Sequence, residues 1–113
     1  MAIDNTNTIV RAKFETALEM AYGSITDSLT MIGTPFTASF SIVFIQNFTD
    51  QILDFSISYA GDSVTFSLAP GGSISTDMIT NAVAVSQGEA AWVQYRTDAP
   101  TLGFVQVSSV TPV

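Results

Sequence analysis

The side chains that most often carry enzyme chemistry are scarce in this sequence. It has no histidine and no cysteine, so neither a Ser-His-Asp triad nor a Cys-His pair can form, and a zinc site would have only carboxylate ligands. Two carboxylates can hydrolyse a glycosidic bond, and Asp54, Asp62 and Asp77 are the candidates by position. Structural roles in turns or on an outward strand face are the stronger interpretation of all three.

Other ligand-binding patterns are incomplete. Asp50, Asp54 and Asp62 offer the oxygen ligands that calcium prefers, but no Asp-x-Asp-x-Asp loop is present. Gly71-Gly72 lacks the further glycine and the Lys-Ser/Thr pair of a phosphate loop, so it indicates a turn. Aromatic residues that could stack sugars are Phe48, Trp92, Tyr95 and Phe104, although packing in a core is the commoner role of such residues. We therefore expect no catalytic residue, no cofactor and no metal.

The charge balance argues against nucleic acid and anionic membranes as partners. Arg11, Lys13 and Arg96 are the three basic residues against ten acidic ones, and the net charge is −7. Contacts from Lys and Arg to phosphate supply most of the non-specific affinity for nucleic acid, and anionic lipid attracts the same residues. No apolar run approaches the roughly 20 residues of a membrane span, and no signal peptide is recognisable at the start. Synthesis in the cytoplasm of the producing cell is the expectation.

The composition favours a single β domain with surface available for burial. The 113 residues suffice for one modest core, so we expect one domain over residues 1–113. Charged residues make up 12% of the chain, about half of the roughly 25% usual in soluble domains, and serine and threonine supply the polarity instead. Such a composition is typical of a β protein whose surface is partly hidden by partners.

The run from Phe36 to Ile45 predicts the central strand. One face of this strand consists of Ala38, Phe40, Ile42 and Phe44, by the alternation of a pleated strand. Val43 and Ile45 make its other face apolar as well. A strand with two apolar faces requires burial inside a sandwich or at a subunit contact, because an exposed one would promote aggregation.

A hairpin and later strands complete the predicted fold. Alternating residues 52–59 and 64–68 flank the turn Ala60-Gly61-Asp62, and we expect the two strands to pair. The residues expected on the core side are Leu53, Phe55, Ile57, Tyr59, Val64, Phe66 and Leu68. Further strands are predicted near residues 83–85, 90–96 and 103–110. This spacing of strands indicates an all-β fold, an antiparallel β-sandwich or jelly-roll-like barrel.

The segment over residues 9–22 supports two interpretations. Its content of Ala, Glu, Lys, Leu and Met and an N-cap at Thr8 favour a helix. The alternation of charged residues with Ala12, Phe14, Leu18 and Met20 favours a strand. We expect a short N-terminal helix over 9–22, preceded by a flexible arm over 1–8.

Interaction is the main function that this chain predicts. Its few charges, its two strands with apolar character on both faces and its amphipathic N-terminal segment are typical of a subunit in an assembly. The predicted interface residues are Phe14, Leu18, Val43, Ile45, Phe48, Trp92 and Tyr95.

A series of short segments also resembles a known family. The segments are residues 11–22, 45–50, 57–62 and 66–73, then Asp77, Gln87-Gly-Glu and Gly103-Phe-Val-Gln-Val. In this order they resemble the small virion structural proteins of tailed bacteriophages described as capsid cement or decoration proteins. The chain departs from that pattern at the hairpin tip, where Ser58-Tyr59-Ala60-Gly61 replaces a Ser-x-Asp-Gly sequence.

The resemblance implies a location and partners. A cement protein of this kind lies on the outer surface of the capsid, as a homodimer or homotrimer that bridges subunits of the major capsid protein. A tail, collar or fibre-attachment component of the virion is a second structural hypothesis. A carbohydrate- or cell-surface-binding module is the alternative from a different class.

Overall fold

Strands dominate the part of the chain that the structure describes. In this computed structural model, that part comprises residues 12–14, 16–36, 42–75 and 87–112. Its strands are β1 (Ala12–Phe14), β2 (Leu18–Ala21), β3 (Thr30–Met31), β4 (Ile42–Asn47), β5 (Leu53–Ser58), β6 (Phe66–Leu68), β7 (Ser73–Ser75), β8 (Ala90–Tyr95) and β9 (Phe104–Pro112). A single 3-10 turn is described, at Tyr22–Ser24. No helix within these ranges has the length and apolar character needed to cross a membrane.

The strands form two sheets. The first sheet has the order β1-β9-β4-β7, with β2 also paired to β9, and the second has the order β3-β8-β5-β6. All described strand pairs are antiparallel. The prediction of an all-β antiparallel fold is confirmed, and the arrangement is that of a β-sandwich.

The core lies between the two sheets. Val43, Ile45, Val105 and Val107 come from the first sheet, and Leu53, Phe55, Ala91 and Val93 come from the second; all are at most 2% exposed. Loop residues Ile25, Ile32 and Phe36 close the same cluster. Each large apolar side chain in such a core contributes roughly 1.5–3 kcal/mol when it is fully buried.

Strand β4 lies inside the first sheet, but only one of the two apolar faces that were expected to be buried lies in the core. Val43 and Ile45 are buried, whereas Phe44 is 41% exposed. Alternation could not assign the inward face, because both faces of this strand are apolar. The inward face is the one that also carries Asn47, which is fully buried. Residues 37–41, which belong to the predicted strand, lie outside the described ranges.

The helix predicted over residues 9–22 is wrong for the residues that the structure describes. Phe14 pairs with Val110 in β1–β9, and Leu18 pairs with Val107 in β2–β9. The register shifts by one residue between the two pairings. Helix propensity is a weak local preference, and here hydrogen bonding along one side of the long strand β9 outweighs it. The predicted arm over 1–8 lies outside the described ranges.

The predicted hairpin is confirmed in its pairing, but Tyr59 and Val64, next to its turn, are 65% and 46% exposed and do not lie in the core. Leu53 lies opposite Leu68 and Phe55 opposite Phe66, and the two phenylalanine rings stack with centroids 5.5 Å apart and an interplanar angle of 11°. The strand predicted over 90–96 is also confirmed as β8, which pairs with β5 along its whole length. These two strands are the centre of the second sheet.

The side chain of Asn47 joins the two sheets at one end of the sandwich. Its Nδ2 donates to the carbonyl oxygens of Gln51 at 2.9 Å and Leu68 at 3.0 Å. Its Oδ1 accepts from the backbone nitrogen of Thr49 at 2.9 Å and from Thr49 Oγ1 at 2.6 Å. A primary amide has two donor hydrogens and two acceptor lone pairs, so all four are used. Asn47 is thereby buried at no cost in unsatisfied polar atoms.

Gly103 sits at the start of β9 under a close approach of another backbone segment. Its φ is +88°, and a Cβ at this position would overlap the carbonyl oxygen of Phe48. Gly71 also has a positive φ, +79°, but a Cβ there would meet nothing within 4 Å. Substitutions at the two glycines therefore differ in one respect. Both impose the unfavourable backbone conformation on a side chain, but only the one at position 103 adds a steric collision.

Replacing Asn47 by leucine should lower the free energy of unfolding by at least about 3 kcal/mol. The substitution keeps a similar shape but removes the partner of the Leu68 carbonyl group and of the Thr49 backbone nitrogen, and leaves Thr49 Oγ1 and the Gln51 carbonyl oxygen only their bond to each other. Urea unfolding followed by the fluorescence of Trp92 measures this loss. Gln46→Leu is the matched control, because Gln46 lies on the outward face of the same strand, and its effect should stay within about 1 kcal/mol. Equal losses in the two variants would contradict the role given to Asn47.

Replacing Gly103 by alanine should cost at least about 2 kcal/mol more than replacing Gly71 by alanine. Both variants impose an unfavourable φ on a residue with a side chain, which costs about 1 kcal/mol. Only the alanine at position 103 must also displace the backbone at Phe48. Midpoints of thermal unfolding for the two variants, measured side by side, test this difference, and similar midpoints would contradict it.

Candidate functional site

Large apolar side chains are exposed on neighbouring chain segments at the end of the first sheet where β9 begins. We call this surface the apolar corner and define it by Tyr22, Phe48, Leu102 and Phe104. Tyr22 and Phe48 are each 42% exposed and Leu102 is 56% exposed, while Phe104 is half-buried. The rings of Phe48 and Phe104 lie with centroids 5.0 Å apart and tilted by 37°, a favourable geometry for an aromatic pair. Grouped exposed apolar side chains are candidates for an interaction site.

Backbone hydrogen bonds hold the segments of the apolar corner together. The backbone nitrogen of Phe48 donates to the carbonyl oxygen of Phe104 at 2.9 Å, and that of Tyr22 donates to the carbonyl oxygen of Gly103 at 3.0 Å. The close approach at Gly103 fixes the distance between the same segments. The corner is therefore built on three chain segments whose relative positions the fold determines.

Asp50 ties the loop after β4 to the loop before β9. Its carboxylate accepts hydrogen bonds from the hydroxyl and from the backbone nitrogen of Thr101. The hydrogen bond from the Thr101 side chain is the main reason why the pKa of Asp50 lies below its ordinary value. The carboxylate therefore stays charged at neutral pH beside Leu102.

A second acid borders the apolar corner from the side of β2. Glu19 is exposed and lies opposite Gln106 in the β2–β9 pair, where Ala21 lies opposite Phe104. The Nε2 of Gln106 donates to Glu19 Oε2 at 3.3 Å. Glu19 and Phe104 are thus diagonal neighbours, roughly 7–8 Å apart by the usual spacing of strand pairs. The corner consequently has a negatively charged border.

The predicted interface residues do not come together on one surface. Val43 and Ile45 lie in the core of this chain, so the structure places them away from any surface. Leu18 and Tyr95 are half-buried and pack against that core. Phe48 belongs to the apolar corner, Trp92 lies on the outer face of the second sheet, and Phe14 is positioned in β1 opposite Val110.

Trp92 supports a loop on the outer face of the second sheet. Its Nε1 donates to the carbonyl oxygen of Ser58 at 3.0 Å, and Gly61 lies directly on its ring, since a Cβ at Gly61 would come within 2.5 Å of Cδ2. The backbone nitrogen of Gly61 also donates to Ser58 Oγ at 2.9 Å. One ring face is thus occupied by the hairpin loop, which leaves less of Trp92 for sugar stacking than the sequence suggested.

Asp54 is the centre of a polar network beside Trp92. Its Oδ1 accepts from Ser67 Oγ at 2.6 Å and from Arg96 Nη2 at 2.8 Å, and its Oδ2 accepts from Gln94 Nε2 at 3.4 Å. Burial raises the pKa of Asp54, but these hydrogen bonds and the charge of Arg96 outweigh it, so that the pKa lies below the ordinary value. The network links β5, β6 and the end of β8, and it gives Asp54 a structural role.

The other candidate ligands are separated. Asp62 is exposed in the hairpin loop, and Asp77 lies outside the described residues. Within the described ranges, no three acidic side chains are close enough to hold a metal ion. The calcium site considered from Asp50, Asp54 and Asp62 has no counterpart there, because Asp54 binds Ser67 and Arg96, whereas Asp50 binds Thr101 in the loop before β9.

Tyr22 and Leu102 are site residues that the sequence did not reveal. Tyr22 was assigned to a helix end, and Leu102 lies in a turn where strand alternation makes no statement. The sequence does contain one indication that Leu102 is exposed. It is a large apolar residue within the turn Pro100-Thr101-Leu102-Gly103, and a turn offers no position in the core. Phe44 is also exposed, although both faces of its strand were expected to be buried.

Comparisons with known proteins find similarity among solved structures only. No protein-family model matches the chain, and no curated protein matches it. Among solved structures, the chain is similar to the Dit protein of phage SPP1, described as a paradigm of the hub adsorption apparatus in phages that infect Gram-positive bacteria, with a TM-score of 0.41 and 8% identity over 90% of this chain. The chain spans 49% of the length of that protein.

The stability contributed by Asp54 should depend on pH in the acidic range. Because its pKa is lowered in the folded state, the unfolded state binds more protons as the pH falls below the ordinary value of 3.8. The contribution is therefore complete above about pH 5 and is lost as the pH falls through the folded pKa. The difference in unfolding free energy between the wild type and Asp54→Asn, measured in urea from pH 7 to pH 2.5, should shrink in that direction. Asp98→Asn, at an exposed position, controls for the loss of one negative charge, and a difference for Asp54→Asn that grows on acidification would contradict the assignment.

Proposed function

We propose that this chain is a structural protein of a bacteriophage virion, most specifically a capsid cement or decoration protein. It would bind the outer shell as a homo-oligomer and stabilise the contacts between major capsid subunits. The observation that carries the proposal is the apolar corner, a preformed exposed surface on a domain with few charges. The resemblance of its short segments to phage cement proteins supports the proposal that the assembly is a phage capsid.

The mechanism requires only binding. A protein that binds the assembled shell but not its free subunits stabilises the assembled state by mass action, in proportion to the logarithm of its concentration over its dissociation constant. The negative net charge of −7 is compatible with an outward position away from packaged nucleic acid. A rigid sandwich suits this task, because it loses little conformational freedom on binding.

No catalytic role is proposed for the carboxylates. Asp54 is held by Ser67, Gln94 and Arg96 in the second sheet. Asp50 is held by Thr101 at the apolar corner. A general acid or nucleophile needs a carboxyl group free to contact substrate, and the hydrogen bonds of these two already serve the fold.

Particles assembled without this protein provide the test. Purified protein should add to them at a fixed stoichiometry and raise their disassembly temperature, as followed by a dye that reports released nucleic acid. Electron microscopy of the reconstituted particles then gives the position, where density on the outer shell supports the cement role and density on the tail or collar supports the second structural hypothesis. Absence of binding to any part of the particle would contradict a virion role.

A further inference from the structure

We infer that the apolar corner docks a different virion protein, one whose contact surface has an apolar side chain bordered by Lys or Arg, and that a second copy of this chain does not occupy it. This inference rests on the proposed virion function and specifies its partner. The occupant is defined by two properties of the corner, its exposed apolar centre and its acidic border.

The centre of the corner is suited to an apolar anchor. Leu102 and Phe48 expose 56% and 42% of their surface. The ring of Phe48 also forms a tilted pair with the ring of Phe104. Backbone hydrogen bonds at Tyr22 and Phe48 fix these segments before any partner arrives. Preformed apolar and aromatic centres of this type carry most of the binding energy of protein interfaces.

The border selects the charge of the partner. Glu19 lies beside Phe104 along the strand pair, and the Asp50 carboxylate lies beside Leu102 through its bonds to Thr101. The hydroxyl and amide donors of Thr101 are neutral, so the negative charge of Asp50 is not cancelled locally. A partner with Lys or Arg at its rim gains a complementary potential, which mainly raises the rate and specificity of association.

The same border disfavours a second copy. In a two-fold contact between two corners, the Glu19 and Asp50 carboxylates of one copy would face those of the other. The chain has only three basic residues to relieve this repulsion. Arg96 is paired with Asp54 on the other sheet, and Lys13 lies opposite Thr111, about 23 Å along β9 from Phe104 by the usual rise per strand residue.

The corner also fits a protein better than a carbohydrate. A sugar site places polar side chains with free hydrogen-bonding groups around an aromatic platform. Here Gln106 donates to Glu19, and Asp50 accepts two hydrogen bonds from Thr101. Gln106 and Asp50 beside the rings therefore already have hydrogen-bond partners within this chain.

Binding of corner variants to particles assembled without this protein tests the inference. Leu102→Ser and Phe48→Ser should each weaken binding at least tenfold, the usual scale for truncating a central interface residue. Val64→Ser is the matched control, since Val64 is 46% exposed in the hairpin loop of the other sheet, and it should bind as the wild type does. Because Phe48 also packs on Phe104, the thermal stability of each variant is measured as well. If Phe48→Ser proves unstable, the result for Leu102→Ser decides the test.

Charge variants test the border separately. Glu19→Lys should weaken binding at least threefold at low salt, and this difference should narrow as salt screens the interaction. Asp62→Lys makes the same change in net charge at an exposed position in the hairpin loop and should have little effect. Equal effects of the two variants would show that only the net charge matters and would overturn the inference of a basic partner rim.

A photoreactive amino acid at position 102 identifies the occupant. A cross-link from the bound protein to a different virion protein, at a peptide containing Lys or Arg, supports the inference. A cross-link to a second copy, or glycan-array binding that is lost in Phe48→Ser, overturns it. Wild-type protein that fails to bind the particles overturns both this inference and the proposed function, whereas equal binding of wild type and Leu102→Ser overturns only the inference.

Discussion

The buried amide of Asn47 is the interaction on which both sheets depend at one end of the sandwich. It ends β4 in the first sheet, binds the carbonyl group of Leu68 at the end of β6 in the second, and organises the loop through Thr49 and Gln51. An amide in an apolar core is costly unless every donor and acceptor is paired. Since all four are paired here, the same residue both stabilises the core and specifies how the two sheets meet.

The apolar corner depends on that arrangement. The loop that Asn47 organises contains Phe48 and Asp50. Phe48 donates to the carbonyl group of Phe104 at the start of β9, and Asp50 accepts from Thr101 in the loop before β9. Gly103 makes the close approach of these segments possible. The apolar corner is thus continuous with the loop that the Asn47 hydrogen bonds hold. This explains how a loop region can present large apolar side chains in fixed positions.

The sequence predicted the elements whose pattern is local, and it failed where long-range pairing decides. Alternation between 52 and 68, around a glycine-containing turn, identified β5 and β6, and the same pattern identified β8. The segment of β1 and β2 was misassigned because its preference for strand comes from pairing with β9, about ninety residues away in sequence. The inward face of β4 could not be assigned because Phe44 and Val43 are equally apolar. At the corner, Phe48 was identified from the sequence, but Tyr22 and Leu102 were not. Tyr22 reaches the corner through its hydrogen bond to Gly103, and Leu102 through the bond of Thr101 to Asp50. Both are contacts between distant segments, which a local sequence pattern does not predict.

The close contact between Gly103 and the Phe48 carbonyl group has a consequence for how this surface can evolve. The two backbone segments lie against each other at position 103, where any side chain would collide with the carbonyl group of Phe48. Adaptation to an altered partner must therefore proceed by exchanging the side chains at 22, 48, 102 and 104, on an unchanged backbone. Such a surface can diverge rapidly in sequence while Asn47 and Gly103 stay constant, so distant homologues should share these two residues even where their corners have become chemically different.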